Sequence, residues 1–206
     1  MSKRIRIHPV TPQPHRVVEA SAVLASGGVL VYPTDSCYAL GCDLGNADGV
    51  ARIRRIRHKS TQEPLSLLCR DLSEIAIFSR VDNQAYRLLK KLTPGPYTFI
   101  LKASREVPKR VLDTKRKTIG IRVPENAVAQ ALLEAHGAPV LSSTAQKPGE
   151  EIALNDAEDI WDWLSSHVDA MVDGGPCGLE PTSVIDLTGD VPRVVRVGAG
   201  DVSMFI

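Results

Sequence analysis

Nowhere does the chain string together the ~18 apolar residues of a membrane span, so none is expected. Its opening, "MSKRIRIHPV", lacks the apolar core of a signal peptide, and a cytoplasmic protein is expected. Cysteine is sparse. Cys37, Cys42, Cys69 and Cys177 form no CxxC pair, which does not suit a zinc site and points to reduced, mostly buried thiols. An excess of one charge is also lacking: 25 Lys and Arg face 24 Asp and Glu, so a preference for a charged partner has to arise from local clusters. The glycine-rich phosphate cradles GxGxxG and GxxxxGK[ST] do not occur. A nucleotide would need a cradle of arginine, lysine, hydroxyls and backbone N–H groups instead.

What is present is ordinary globular material. Hydrophobic residues make up 43% of the 206 and charged residues 24%, enough apolar surface for a packed core. There is no repeat, low-complexity tract or clear linker, and one domain spanning 1–206 is expected. Short apolar runs at 28–33, 64–69, 97–103, 118–124, 139–144, 183–187 and 193–197 read as strands, with a shorter one at 170–172. Helical spacing fills residues 15–26, 47–57, 83–92 and 126–136. Asp71 with Glu74 marks the start of a short helix, and Asn155 with Glu158 marks another running to Ser166. Alternating strands and helices predict an α/β fold. Some connections, such as "TGDVP" at 188–192, are too short for a helix, so the sheet is expected to be mixed.

Polar residues recur at the strand ends, where open α/β sheets bind ligands. Thr34 and Ser36 follow the first run, and Arg57 and Lys59 precede the second. Arg122 lies near the end of "IGIRVP", "LSSTAQKPG" supplies hydroxyls and an amide, and Arg196 lies among valines in "VVRVGAG". An arginine in an apolar strand needs an anion or a carboxylate, and Asp186 or Asp43 would serve as well as a ligand. Thr34 and Ser142 read equally as turn or cap residues. Asp186 reads as a turn-forming acid, and His58 and His136 as surface residues. In "RIRRIRHK", Arg52, Arg54 and Arg55 fit either a solvated helix face or an RNA backbone. The segment Lys102–Lys117 holds seven basic and two acidic residues and suits an RNA surface, a lid over a nucleotide, or plain solvation.

Seven blocks in order, "YPTDSCYALGCD", "RIRHKSTQEPLSLL", "LTPGPYTFIL", "TIGIRVP", "LSSTAQKPG", "DGGPCGLEPTSVIDLTG" and "VVRVGAG", resemble the successive motifs of the YrdC/YciO family across about residues 17–200. The resemblance implies a single domain with a twisted sheet and a concave, basic face. It also implies the activity of L-threonylcarbamoyladenylate synthases, which combine L-threonine, bicarbonate and ATP (with Mg2+) and release pyrophosphate. Their product serves threonylcarbamoyladenosine formation in tRNA. A non-enzymatic module binding tRNA or double-stranded RNA is the alternative it implies.

Position by position, Arg57 and Lys59 match the catalytic cations, and with Ser142, Thr144, Gln146 and Arg196 they match the ATP site. Thr34, Glu63, Thr118, Arg122 and Ser183 match the threonine site. The departures resemble the YciO branch. The usual Lys-x-Arg is here Arg57-His58-Lys59, the usual Ser-x-Asn is Thr144-Ala145-Gln146, and Glu63 replaces a histidine. A carboxylate at position 63 would repel that of a bound amino acid.

Overall fold

The structure is a computed structural model and describes residues 2–60, 65–113 and 115–205. Strand β1 (Lys3–Arg6) leads through helix α1 (Pro14–Ala25) to β2 (Leu30–Tyr32) and β3 (Ala39–Asp43). Helix α2 (Ala47–Ile56), β4 (Ser66–Leu68), α3 (Leu72–Phe78), β5 (Ser79–Arg80) and α4 (Asn83–Leu92) follow. The chain continues through β6 (Tyr97–Ala103), β7 (Thr118–Arg122), α5 (Ala127–His136) and β8 (Val140–Thr144). It ends with α6 (Ala157–Leu164), β9 (Ala170–Asp173), β10 (Ser183–Asp186) and β11 (Arg193–Arg196).

These strands form one mixed sheet in the order β1-β9-β2-β3-β8-β4-β7-β6-β10-β11, with β5 joined to β6. The expected α/β domain with a mixed sheet is thus observed. Strands β1, β3 and β5 lie outside the runs read as strands from the sequence. The helix expected to begin at Asn155 is capped instead by Asp156, whose carboxylate accepts from the Glu158 amide, and it stops at Leu164. None of the described helices is long and apolar enough to cross a membrane.

Two-residue alternation along the strands sorts side chains between the faces. Val31, Leu40, Leu67, Leu141, Met171, Phe99, Ile121 and Ile185 point to one face and share a core with Val50 and Ile53 of α2, Ile75 of α3, Leu89 of α4 and Ile160 of α6. Leu30, Tyr32, Ala39, Leu68, Val140 and Val172 point to the other, beneath Leu24 of α1 and Leu132 of α5. This second core contains no residue of β6, β7, β10 or β11. Two helices therefore cover half of that face, and the other half is left open.

At the boundary the packing is close. A Cβ on Gly41 would lie 2.6 Å from the Tyr32 ring and 2.8 Å from Val140. Gly41→Ala is expected to cost about 1–3 kcal/mol, the scale of overpacking a filled core. A shift in the urea midpoint at unchanged slope checks this, and an unchanged midpoint would show that the Tyr32 ring has room to move.

Candidate functional site

The uncovered half of the face is the floor of a cleft of about 390 Å³. Strand register lays the floor out in three cross-strand rows. Ser142 and Gly120 flank Ser66 in the middle row, and Gly120 in turn faces Ile100. A Cβ on Gly120 would approach Thr98 Cγ2 to 3.1 Å and Ser66 Oγ to 3.3 Å, so glycine keeps this row flat. Arg122 pairs with Leu68 in one outer row, and Val184, paired with both Thr98 and Arg196, lies at that same end. Thr144 opposite Ala39 and Thr118 opposite Lys102 belong to the other outer row. Four residues of strand separate Thr118 from Arg122, about 13 Å. The sequence led us to expect ligands at the strand ends; the open face is where the cleft lies.

Helix α2 brings two cations to the Thr144 end. Its N-terminus is capped by Asn46, whose side chain accepts from the Gly49 amide at 2.8 Å. Its C-terminus closes with the Lys59 amide on the Arg54 carbonyl and the His58 amide on the Arg55 carbonyl, with His58 left-handed at φ 49°. This is a Schellman turn with histidine at the position where glycine is usual. It sends Arg57 and Lys59 into the cleft, while His58 stays outside it. Arg57 reaches the Gln146 side-chain oxygen at 3.4 Å, and the Gln146 amide is fixed by the carbonyls of Glu150 and Glu151. Thr144 and Gln146 both line the cleft, and the intervening Ala145 is buried away from it. The exchange of lysine and arginine in this motif therefore keeps two cations on the cleft wall.

Arg122 and Arg196 lie at the other end. Arg122 is buried and forms a close ion pair with Asp35, and its Nη1 donates to Ser36 Oγ at 3.3 Å. The second Asp35 oxygen accepts from the Glu125 amide at 3.0 Å. Neither Asp186 nor Asp43 is the partner of Arg122. Asp43 pairs with His136, whose side chain is buried rather than on the surface as expected. Asp186 pairs with Arg116 and Arg193. Burial alone pushes the Asp186 pKa up, but hydrogen bonds from Thr188 and Arg116 outweigh it and set the value at about 2. Arg196 is exposed on the edge strand β11, and its guanidinium donates to the Thr182 carbonyl at 3.0 and 2.7 Å. Among the described residues no carboxylate pairs with it. Burial pushes the neighbouring Cys37 thiol up to about 11, with Arg122 and Arg196 opposing the shift, so it is protonated at neutral pH and not a ready nucleophile.

The structure brings Arg57, Lys59, Ser142, Thr144, Gln146, Arg196, Thr118 and Arg122 together around one cleft. Ser142 is held from below by the Tyr32 hydroxyl at 2.9 Å. Three expected contacts are not placed there. Thr34 is buried behind the wall, where its hydroxyl donates to the Cys37 carbonyl at 2.6 Å and Ser36 faces the cleft in its stead. Ser183 is fully buried on the far face, donating to the Gly200 carbonyl and accepting from the Gly198 amide; its neighbour Thr182 lines the cleft. Glu63 lies outside the described residues. Nor do the expected threonine and nucleotide sets separate, since Thr118 sits at the Arg57 end and Arg196 at the Arg122 end.

Residues not anticipated as ligands complete the lining. Ser66 and Thr98 are polar positions that alternate with Leu67 and Phe99, a two-residue signal hidden inside apolar runs. Asp113 and Arg116 come from the basic segment Lys102–Lys117, which forms a wall of the cleft. Two of its cations are already engaged: Arg110 holds the carbonyls of Leu44 and Gly45, and Arg116 holds Asp186. Asp113 is the one carboxylate among the described lining residues, and its Oδ1 accepts from the amides of Lys115 and Arg116. No cluster of metal-ligating side chains occurs among the described residues.

Comparison with known proteins places this geometry. Residues 22–198 match the Sua5_yciO_yrdC family, described as telomere recombination. YciO of Escherichia coli is 52% identical over 206 residues, covering all of both chains. Its crystal structure superposes with a TM-score of 0.97 over the full length of each. The threonylcarbamoyl-AMP synthase of Halorhodospira halophila is 33% identical over 180 residues, 86% of this chain and 93% of that one. The fold is also that of P. abyssi Sua5 complexed with L-threonine, at TM-score 0.86 and 23% identity over 96% of this chain and 57% of that chain. The matched span runs from α1 past β11 and takes in every wall of the cleft, so the chain belongs to the Sua5/YciO/YrdC family.

Proposed function

We propose that the cleft joins L-threonine, bicarbonate and ATP into threonylcarbamoyl-AMP, releasing pyrophosphate, in the service of tRNA threonylcarbamoyladenosine formation. The observation that carries this reading is the cleft's length and polarity. A flat floor of hydroxyls about 13 Å between its outer rows, with cations at both ends, suits an extended anionic ligand such as an acyl-adenylate better than an amino acid alone. Threonine's amine takes up the bicarbonate carbon with loss of water. The carbamate oxygen then attacks the α-phosphorus, and the bond to pyrophosphate breaks.

Arg57, Lys59 and Arg196 neutralise phosphate oxygens, and Arg122 with the Ser36 hydroxyl orients the amino acid. Such a transfer depends on positioning and charge neutralisation. Magnesium enters as the counterion of the ATP phosphates. The L-threonine complex of the P. abyssi relative and the synthase of H. halophila support the assignment. Purified protein with ATP, bicarbonate and magnesium in excess is expected to release pyrophosphate slowly and only when L-threonine is present. Mass spectrometry should find threonylcarbamoyl-AMP, and release no faster than in buffer overturns the reading.

A further inference from the structure

Behind the cleft wall lies a second depression, of about 640 Å³. The two share their partitions. Arg57 and Lys59 face the cleft and His58 faces the groove; Gln146 faces the cleft and Lys147 the groove. The groove has an apolar floor in Ile56, Pro148 and the half-buried indole of Trp163. Its rim carries Arg55 and Lys147, for neither of which an ion pair occurs among the described residues, together with His58 and His167. Arg52 is a rim residue already engaged, by Asp169 at 2.7 Å and by the His167 carbonyl.

An aromatic platform beneath a cationic rim is how single-stranded nucleic acid is held: bases stack on the ring, and the cations follow the phosphates. The surface turned into the groove is mostly apolar, as in metabolite pockets, but Arg52, Arg55 and Lys147 outnumber the acid on its rim, which favours an anionic ligand. Glu150 is the one acid among the described residues of the rim. A carboxylate repels phosphate but accepts a hydrogen bond from a ribose 2′-hydroxyl, which favours RNA over DNA.

We infer that the Trp163 groove binds a single-stranded RNA segment, with a base stacked on Trp163 and phosphates at Arg55 and Lys147. The surface is separate from the cleft chemistry, and its failure would leave the proposed reaction untouched.

Fluorescence anisotropy with oligouridylate of about eight nucleotides tests it. Trp163→Leu is expected to weaken binding at least about tenfold, the loss of one stacked base. Arg55→Ala with Lys147→Ala should lower the salt slope by about 0.7 for each phosphate contact removed. That pair of changes, at exposed Arg55 and half-buried Lys147, keeps the test decisive should Trp163→Leu disturb packing. Pyrophosphate release should be unchanged in all variants. Binding of oligouridylate that none of the variants weakens overturns the inference. So does duplex RNA, oligothymidylate or polyglutamate bound as tightly as oligouridylate.

Discussion

Asp35→Ala is expected to cost about 3–5 kcal/mol of folding stability, the scale of leaving one member of a buried ion pair without its partner. The side chains of Arg122 and Asp35 are 8% and 7% exposed. Arg122 Nε is also buried without a hydrogen-bond partner among the described residues, so little else compensates the guanidinium once the carboxylate is removed. The loss should be much smaller when Arg122 is replaced as well, because the uncompensated charge then disappears. Unfolding of Asp35→Ala, Arg122→Met and the double variant forms a cycle whose coupling term isolates the pair. Additive losses would show that water reaches the guanidinium and that the pair behaves as a surface one. L-Threonine gives a second readout. If its carboxylate takes the vacated place on Arg122, threonine should raise the melting temperature of Asp35→Ala more than that of the unaltered protein.

This pair also shows where sequence reading stops. Arg122 was legible as a costly charge at the end of an apolar strand. Its partner was not, because the loop from Pro33 to Tyr38 leaves β2 and folds back across the sheet to reach β7, a contact of 87 residues' separation. Periodicity carries no information about such a fold-back. Elements whose pattern is strong were read closely: α4 over Asn83–Leu92 and β6 over Tyr97–Ala103. Strand β1 was missed because three of its four residues are basic and Ile5 alone is buried, as suits an edge. Strand β3, "ALGCD", is rich in small residues of low strand propensity, and β2 and β8 on either side determine its state.

The site divides in the same way. Cations at element ends stood out, whereas floor positions such as Ser66 and Gly120 did not. Their importance comes from the absence of a helix above them, which is a property of the packing. Ser183 was misplaced for a related reason: in a strand one step of register exchanges the faces, and Thr182 holds the position assigned to its neighbour.

Arg196→Ala is expected to weaken ATP binding about ten- to a hundredfold, or about 1–3 kcal/mol, the value of a charged hydrogen-bond partner. Two of its donors lean on the Thr182 carbonyl, which fixes the plane of the guanidinium without neutralising it. Partial desolvation pulls its pKa down and the Arg122 charge adds to this, yet a guanidinium stays protonated, so the site holds a positive charge in want of an anion. Arg57→Ala at the opposite end of the cleft should lose a comparable amount if the phosphates run between them. Arg196→Lys should recover little, because an ammonium cannot hold Thr182 and present a planar fork at the same time. Arg193→Ala is the control: it removes the same charge from the same strand, but from a side chain that is 71% exposed and already near Asp186. Calorimetric titration of ATP into the four variants decides the matter. A loss at Arg193 equal to that at Arg196 would mean that only the diffuse field of this edge matters, and that no phosphate sits on Arg196.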